Sequence, residues 1–275
     1  MSHFKDKVAI VTGGASGIGR ELCRQLGGHG ATVIAADINR EGAEQVASSI
    51  TRSGGRASAA LLDVTDPEET RKLVQGTAVD HGRLDYVFNN AGIAIGGETR
   101  DFDWGHWRRM LDINLMGVIY GSRAAYSLMV EQGFGHIVNT ASGAGLLPVP
   151  NCTPYVTTKF GVVGLSLSMR AEGAELGVKV SVVCPAMIDT PIFEAISYPN
   201  MDREKFLDSL PRFLMNDVKD AVRVILRGVS RNQAIIIDSW HGRLMWRIYR
   251  FLPALTHFSN RLMVRHSRAK FRKQP

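Results

Sequence analysis

Cysteine is scarce in this chain: Cys23, Cys152 and Cys184 are the three among 275 residues. They suggest no disulfide framework, and no metal-ligand spacing occurs among the eight histidines. Cys152 stands three positions before Tyr155, where a reactive thiol is conceivable and a spectator the simpler reading. Long apolar runs are missing too, none approaching the roughly 20 residues of a membrane-spanning helix. The first seven residues lead straight into an apolar segment, so no signal peptide is expected. No internal repeat or low-complexity stretch interrupts the chain. These absences argue against a secreted disulfide scaffold and an integral membrane protein, and the expected location is the cytoplasm. With 45% hydrophobic and 21% charged residues, an ordinary α/β chain with a sizeable core remains.

Strand-like runs recur at Val8–Val11, Thr32–Ala36, Ala57–Leu62, Tyr86–Asn89, His136–Thr140, Lys179–Val183 and Ala234–Ile237. Helical patterns lie between them, and regular alternation predicts a doubly wound parallel sheet with helices on both faces. After the first run come Gly13, Gly17 and Gly19, spaced Gly-x-x-x-Gly-x-Gly, and then a helix over Arg20–Leu26. A strand, a glycine turn and a helix N-terminus present backbone N–H groups and a positive dipole end to a pyrophosphate. Asp37 closes the second run, where a carboxylate can accept hydrogen bonds from adenosine ribose hydroxyls and repel a 2′-phosphate. The plainer reading of Asp37 is a cap on the next helix. Arg40 lies near enough to hold a 2′-phosphate, but Asp37 favours NAD over NADP.

Ser142, Tyr155 and Lys159 form the most informative constellation. Positions i and i+4 of a helix share a face, so Lys159 can reach the phenol of Tyr155. A phenol with a pKa of about 10 is a poor acid-base group at neutral pH, and an adjacent cation favours its ionised form. A Tyr-x-x-x-Lys pair alone is a weak signal. The nucleotide-type turn upstream gives it weight.

With these pieces placed, the sequence resembles the short-chain dehydrogenase/reductase family from about Phe4 to Asp238. The glycine motif matches Thr12–Gly19, an Asp-Val that contacts adenine matches Asp63-Val64, and Asn-Asn-Ala-Gly stands intact as Asn89–Gly92. The resemblance implies catalytic roles for Asn114, Ser142, Tyr155 and Lys159. It implies a nicotinamide dinucleotide held by Thr12, Gly13, Ser16, Gly17, Ile18, Gly19, Asp37, Asp63, Val64, Asn90, Ala91, Gly92, Tyr155, Lys159, Pro185, Ile188 and Thr190. A homo-dimer or homo-tetramer is expected. One departure is Pro185-Ala186 where the family usually has Pro-Gly, tolerable if the backbone there stays at negative φ. The implied reaction is hydride transfer between the dinucleotide and a secondary alcohol or ketone. The alternative is a catalytically silent dinucleotide sensor or scaffold, but all four catalytic side chains are present.

Substrate contacts are expected from Ser142, Tyr155, Met187 and Phe193. The segment Met187–Leu214 is rich in Ile, Phe, Tyr and Leu, and Leu146, Leu147 and Val149 follow Ser142. That density favours a lipophilic substrate (steroid-, retinoid-, terpenoid- or long-chain-like) over a sugar. Residues 240–275 are set apart by having no acid at all, against seven arginines and two lysines. This extension carries +9 and leaves residues 1–239 near neutrality. Leu244, Met245, Ile248, Tyr249 and Leu252 fall on one helical face, with Arg243, Arg247 and Arg250 on another, and Pro253 should break the helix. Packing on the protein body, peripheral contact with an anionic membrane and nucleic-acid binding all suit such a segment. No nucleic-acid recognition fold accompanies it.

Overall fold

A computed structural model describes residues 2–192, 196–209 and 215–272 of the chain. The elements run β1 (Val8–Thr12), α1 (Gly17–Gly28), β2 (Thr32–Asp37), α2 (Arg40–Arg52), β3 (Arg56–Leu61), α3 (Pro67–His81) and β4 (Tyr86–Asn89). They continue through α4 (Trp104–Leu111), α5 (Gly117–Gln132), β5 (Gly135–Thr140), α6 (Thr153–Gly173), β6 (Val178–Val183) and α7 (Arg203–Asp208). The last are α8 (Val218–Ser230), β7 (Ile235–Ile236), α9 (Trp240–Phe251) and α10 (Pro253–Phe271). Seven strands pair in the order β3-β2-β1-β4-β5-β6-β7, every pair parallel. The chain reverses direction of travel between β1 and β4, which opens a crevice at the carboxyl ends of the strands.

Alternation along β1 explains the two helix layers. Ala9 and Val11 face Leu22, Leu26, Val46, Ile50 and Leu226 from α1, α2 and α8. Val8 and Ile10 face Val74, Ala125 and Met129 from α3 and α5. A strand buried on both sides is a near-continuous apolar run, as β1 is from Val8 to Val11. α1 starts at Gly17, three residues before the apolar pattern marks it, because glycines contribute nothing to a hydrophobic pattern. Between α4 and α5 the helix widens into a π turn, Asp112–Met116, a feature common at functional sites. It carries Asn114.

α9 ends at Phe251 and α10 starts at Pro253, the break that proline demands. α10 returns over the rim of the sheet's carboxyl end. Arg268 pairs with Glu98 at 2.9 Å, and Arg272 with Glu98 and Asp101, each at 3.0 Å. Asn151 donates to Ser267 and Asn260 to the Pro148 carbonyl, and Phe206 meets Phe271 edge-on. The extension thus packs along α10 on its own subunit.

Candidate active site

The sequence-predicted residues converge on the carboxyl ends of the strands. Gly13 has φ of +66°, and an added Cβ would lie 2.9 Å from the Ala91 Cα. A Cβ on Gly19 would collide with the Gly13 carbonyl, so α1 and β1 can approach only as glycine. Ser16 is the N-cap of α1, yet its side chain makes no capping hydrogen bond. The first N–H groups of that helix are therefore not capped by Ser16, which fits an external anion. Gly17 faces Thr190 and Pro191 across a gap that an added Cβ would fill to 3.5 Å.

Asp37 accepts from the Ala15 N–H at 3.0 Å and the Asn39 N–H at 2.9 Å. Asn39, not Asp37, caps α2. Two acceptor oxygens thus sit fixed beside the glycine turn, each with further lone-pair capacity for ribose hydroxyls. Arg40 is engaged by Glu44 at 2.8 Å. Asp63 binds the N–H and hydroxyl of Thr65, and Val64 lies half-buried beside it. Thr12 acts as a brace: its hydroxyl accepts from the Asn90 and Ala91 N–H groups and donates to the Phe88 carbonyl. The Asn90 amide donates to the Thr12 carbonyl. These side chains hold the turns that would meet a dinucleotide.

Ser142 follows β5, its hydroxyl accepting from the Ala144 N–H at 3.1 Å, and Tyr155 opens α6 with its phenol turned toward that hydroxyl. Lys159 is 3% exposed, donates to the Thr140 carbonyl at 3.0 Å, and holds its ammonium 5.5 Å from the Tyr155 ring centroid. The Asn114 amide clamps Ile93, accepting from its N–H at 2.8 Å and donating to its carbonyl at 2.9 Å. A Cβ on Gly92 would sit 3.2 Å from the Asn114 oxygen and 3.5 Å from the Lys159 nitrogen. Asn114, Gly92 and Lys159 therefore border one space.

The electrostatics differ from the sequence-based expectation. Burial pushes the Tyr155 phenol up to about 12, with the Ser142 hydrogen bond pulling the other way. Burial also pushes the Lys159 ammonium down to about 8. Both shifts oppose an ammonium–phenolate pair. Desolvation outweighs the pairing that spacing alone implies. Burial raises the Cys152 thiol to about 12, and its sulfur faces the Val149 and Pro150 carbonyls. It is an inert spectator at neutral pH.

Of the expected substrate contacts, Met187 is half-buried near Ser142's strand end, and Phe193 lies outside the described residues, as do Phe213 and Leu214. Leu146 is not available to a substrate, since it packs with Val118, Val162 and Val182. Tyr198 packs against Phe206 with the rings tilted, and Phe206 in turn meets Phe271. Ala186 keeps φ outside the left-handed region, so its methyl is accommodated, and Pro185 accepts from the Gly143 N–H. Sequence reasoning missed Asp238 and Asn216. Asp238 accepts from the Ala186 N–H and the Asn216 amide, and Asn216 pairs with Ile188. It also missed the buried Asn89–Ser122–Asn139–Ser166 network that fixes β4 and β5 to α5 and α6. Hydrogen-bonding side chains at apolar-looking positions were the available signal.

Residues 7–200 match the family described as short chain dehydrogenase. The chain belongs to that family. It is 38% identical over 193 residues to cyclohexanol dehydrogenase of Acinetobacter sp. (strain SE19), covering 70% of this chain and 76% of that one. It is 32% identical to a protein named probable oxidoreductase EphD of Mycobacterium tuberculosis, over 95% of this chain and 46% of EphD. That match runs into residues 240–275, and the chain spans about half of EphD. A short chain dehydrogenase/reductase from Burkholderia phymatum, solved in complex with NAD, superposes with a TM-score of 0.84 at 25% identity. The superposition covers 93% of this chain and 97% of that one. Oxidoreductase chemistry with a nicotinamide cofactor follows from family membership.

Proposed function

We propose that this short-chain dehydrogenase interconverts a lipophilic secondary alcohol and its ketone, with NAD preferred over NADP. The observation that carries the reading is the grouping of Ser142 and Tyr155 with buried Lys159, its ammonium 5.5 Å from the Tyr155 ring, at the strands' carboxyl ends. Ser142 orients the substrate oxygen, and Tyr155 takes its proton during oxidation and returns it during reduction. Lys159 favours the phenolate while it remains charged, and its ammonium would hold a ribose hydroxyl. Asn114 positions the Ile93 backbone beside Lys159. The glycine turn 13–19, Asp37, Asp63-Val64 and residues 90–92 would hold the dinucleotide, whose nicotinamide supplies the hydride acceptor or donor when bound. Fixed carboxylate oxygens at Asp37, with Arg40 engaged by Glu44, support NAD.

The resemblance to a cyclohexanol dehydrogenase supports a secondary alcohol, and half-buried Leu147, Val149, Met187 and Ile196 support an apolar one. Tyr155→Phe should lower kcat by at least about 10²-fold, the low end for positioned acid-base catalysis, with dinucleotide affinity retained. The assay is NAD⁺-dependent oxidation of cyclohexanol and of larger secondary alcohols. Near-normal turnover by the variant refutes the assignment, and no turnover by the unmodified protein on any alcohol leaves only dinucleotide binding.

A further inference from the structure

We propose that the outward faces of α9 and α10 form a docking surface for an anionic lipid bilayer. α10 is amphipathic in an unusual sense. Its body-facing stripe is Thr256, Asn260, Val264, Ser267 and Phe271, the residues of this helix that are half-buried or buried at spacings of three and four. Leu255, Phe258 and Leu262 occupy the opposite face and are 54%, 60% and 48% exposed. A helix that turns polar side chains to its own protein and large apolar ones to solvent is partnered on the outside. α9 is anchored by an apolar side chain yet also leaves large apolar ones outside. Trp246 packs against the third core cluster, while Trp240, Leu244, Arg247 and Phe251 share an exposed face at spacings of four, three and four.

Charge decides among occupants. The segment carries nine cationic side chains and no acid. Of these cations, Arg268 and Arg272 pair with Glu98 and Asp101, and Glu98 also meets Arg100. Arg247, Arg250, Arg261 and Arg265 remain exposed beside the apolar stripes. A second copy of the same face would bring like charge against like charge, and a nucleic acid makes little use of Leu, Phe and Met. Anionic headgroups meet the arginines, and tryptophan, phenylalanine and leucine suit the region just below them. No helix among the described residues is long and apolar enough to cross a membrane, so the contact is interfacial. α10 also rests on Glu98, Pro148 and Asn151, which places the bilayer beside the rim of the cleft.

Sedimentation of the full-length protein with vesicles tests this, comparing phosphatidylglycerol/phosphatidylcholine with phosphatidylcholine alone. Binding is expected on the anionic vesicles, little on the zwitterionic ones, with a steep fall between low and high salt. Substituting Arg247, Arg261 and Arg265 by Gln should weaken it about 100-fold, roughly fivefold for each cation removed. Leu255→Ser with Phe258→Ser and Leu262→Ser should weaken it at least about tenfold. These side chains are exposed, so an unchanged melting temperature is expected in both variants. The proposal is overturned if the unmodified protein stays in the supernatant with anionic vesicles at low salt. It is also overturned if the serine variant sediments as well as the parent, or if that variant loses only self-association. Because the readout is sedimentation, its failure is distinguishable from failure of the proposed oxidation.

Discussion

Replacing Lys159 by methionine keeps the side-chain length and removes the charge, in a site where only 3% of the residue is exposed. With the ammonium 5.5 Å from the Tyr155 ring, the interaction is about 3 kcal/mol at an effective dielectric of about 20. That corresponds to about 2 units in the phenol's pKa. On the proposed mechanism the phenolate is the base in oxidation, so the rate follows the ionised fraction on the acid limb of the pH profile. Lys159→Met should therefore move that limb up by about 2 units and lower kcat near neutrality by about 10²-fold. Raising the pH should restore much of the loss, which a purely structural defect would not allow. Burial raises the phenol and lowers the ammonium, so the charge on Lys159 is what offsets the desolvation of a Tyr155 phenolate. The assay is kcat for cyclohexanol oxidation from acid to alkaline pH in both proteins, with dinucleotide affinity measured separately. A variant profile scaled down uniformly, with the same midpoint, would refute the argument that Lys159 sets the ionisation of Tyr155.

Asp37→Asn removes the charge and keeps an acceptor for only one of the Ala15 and Asn39 N–H groups. It should shrink the NAD over NADP preference in kcat/KM by about tenfold or more, as expected for hydrogen bonds to a charged group, and an unchanged ratio would remove Asp37 from cofactor selection. Glu98→Gln should loosen α10 by about 1–2 kcal/mol, less than a fully buried pair because Arg268 is 54% exposed. Hydrogen exchange of residues 253–271 should quicken in that variant while β1 and β4 stay protected. The hydrogen bond from Arg268 holds the Glu98 carboxyl below the ordinary glutamate range. Its stabilisation is therefore present at neutral pH and lost as pH falls through that lowered value.

The site was legible where short segments of chain fix its geometry. Glycines at 13, 17 and 19 are required by a turn that other residues would block, and Tyr155 and Lys159 sit four apart on one helix. The strands were located to within two residues because β1 and β4 are apolar up to their last residue and β6 is valine-rich. Ala186, the one visible departure from the family, satisfies the condition set for it. The acid-base balance was not legible, because desolvation depends on which elements close over the two groups. Nor was the clasp on α10, where Glu98 and Arg268 are 170 positions apart and neither occupies a motif.

The extension shows most plainly what periodicity leaves undecided. Helical spacing separates an apolar face from a basic one but does not say which face meets the protein. In α10 the inward stripe is held by specific hydrogen bonds, Asn260 to Pro148 and Asn151 to Ser267, with Phe271 as its one buried ring. Those contacts suffice to orient the helix because the arginine clasp adds to them at its carboxyl end. Leu255, Phe258 and Leu262 are then left outside, where each exposed side chain keeps a hydrophobic free energy of roughly 1.5–3 kcal/mol unrealised in water. Folding leaves that energy unspent, so it remains for association. The basic rim around those side chains then selects which apolar surface they meet.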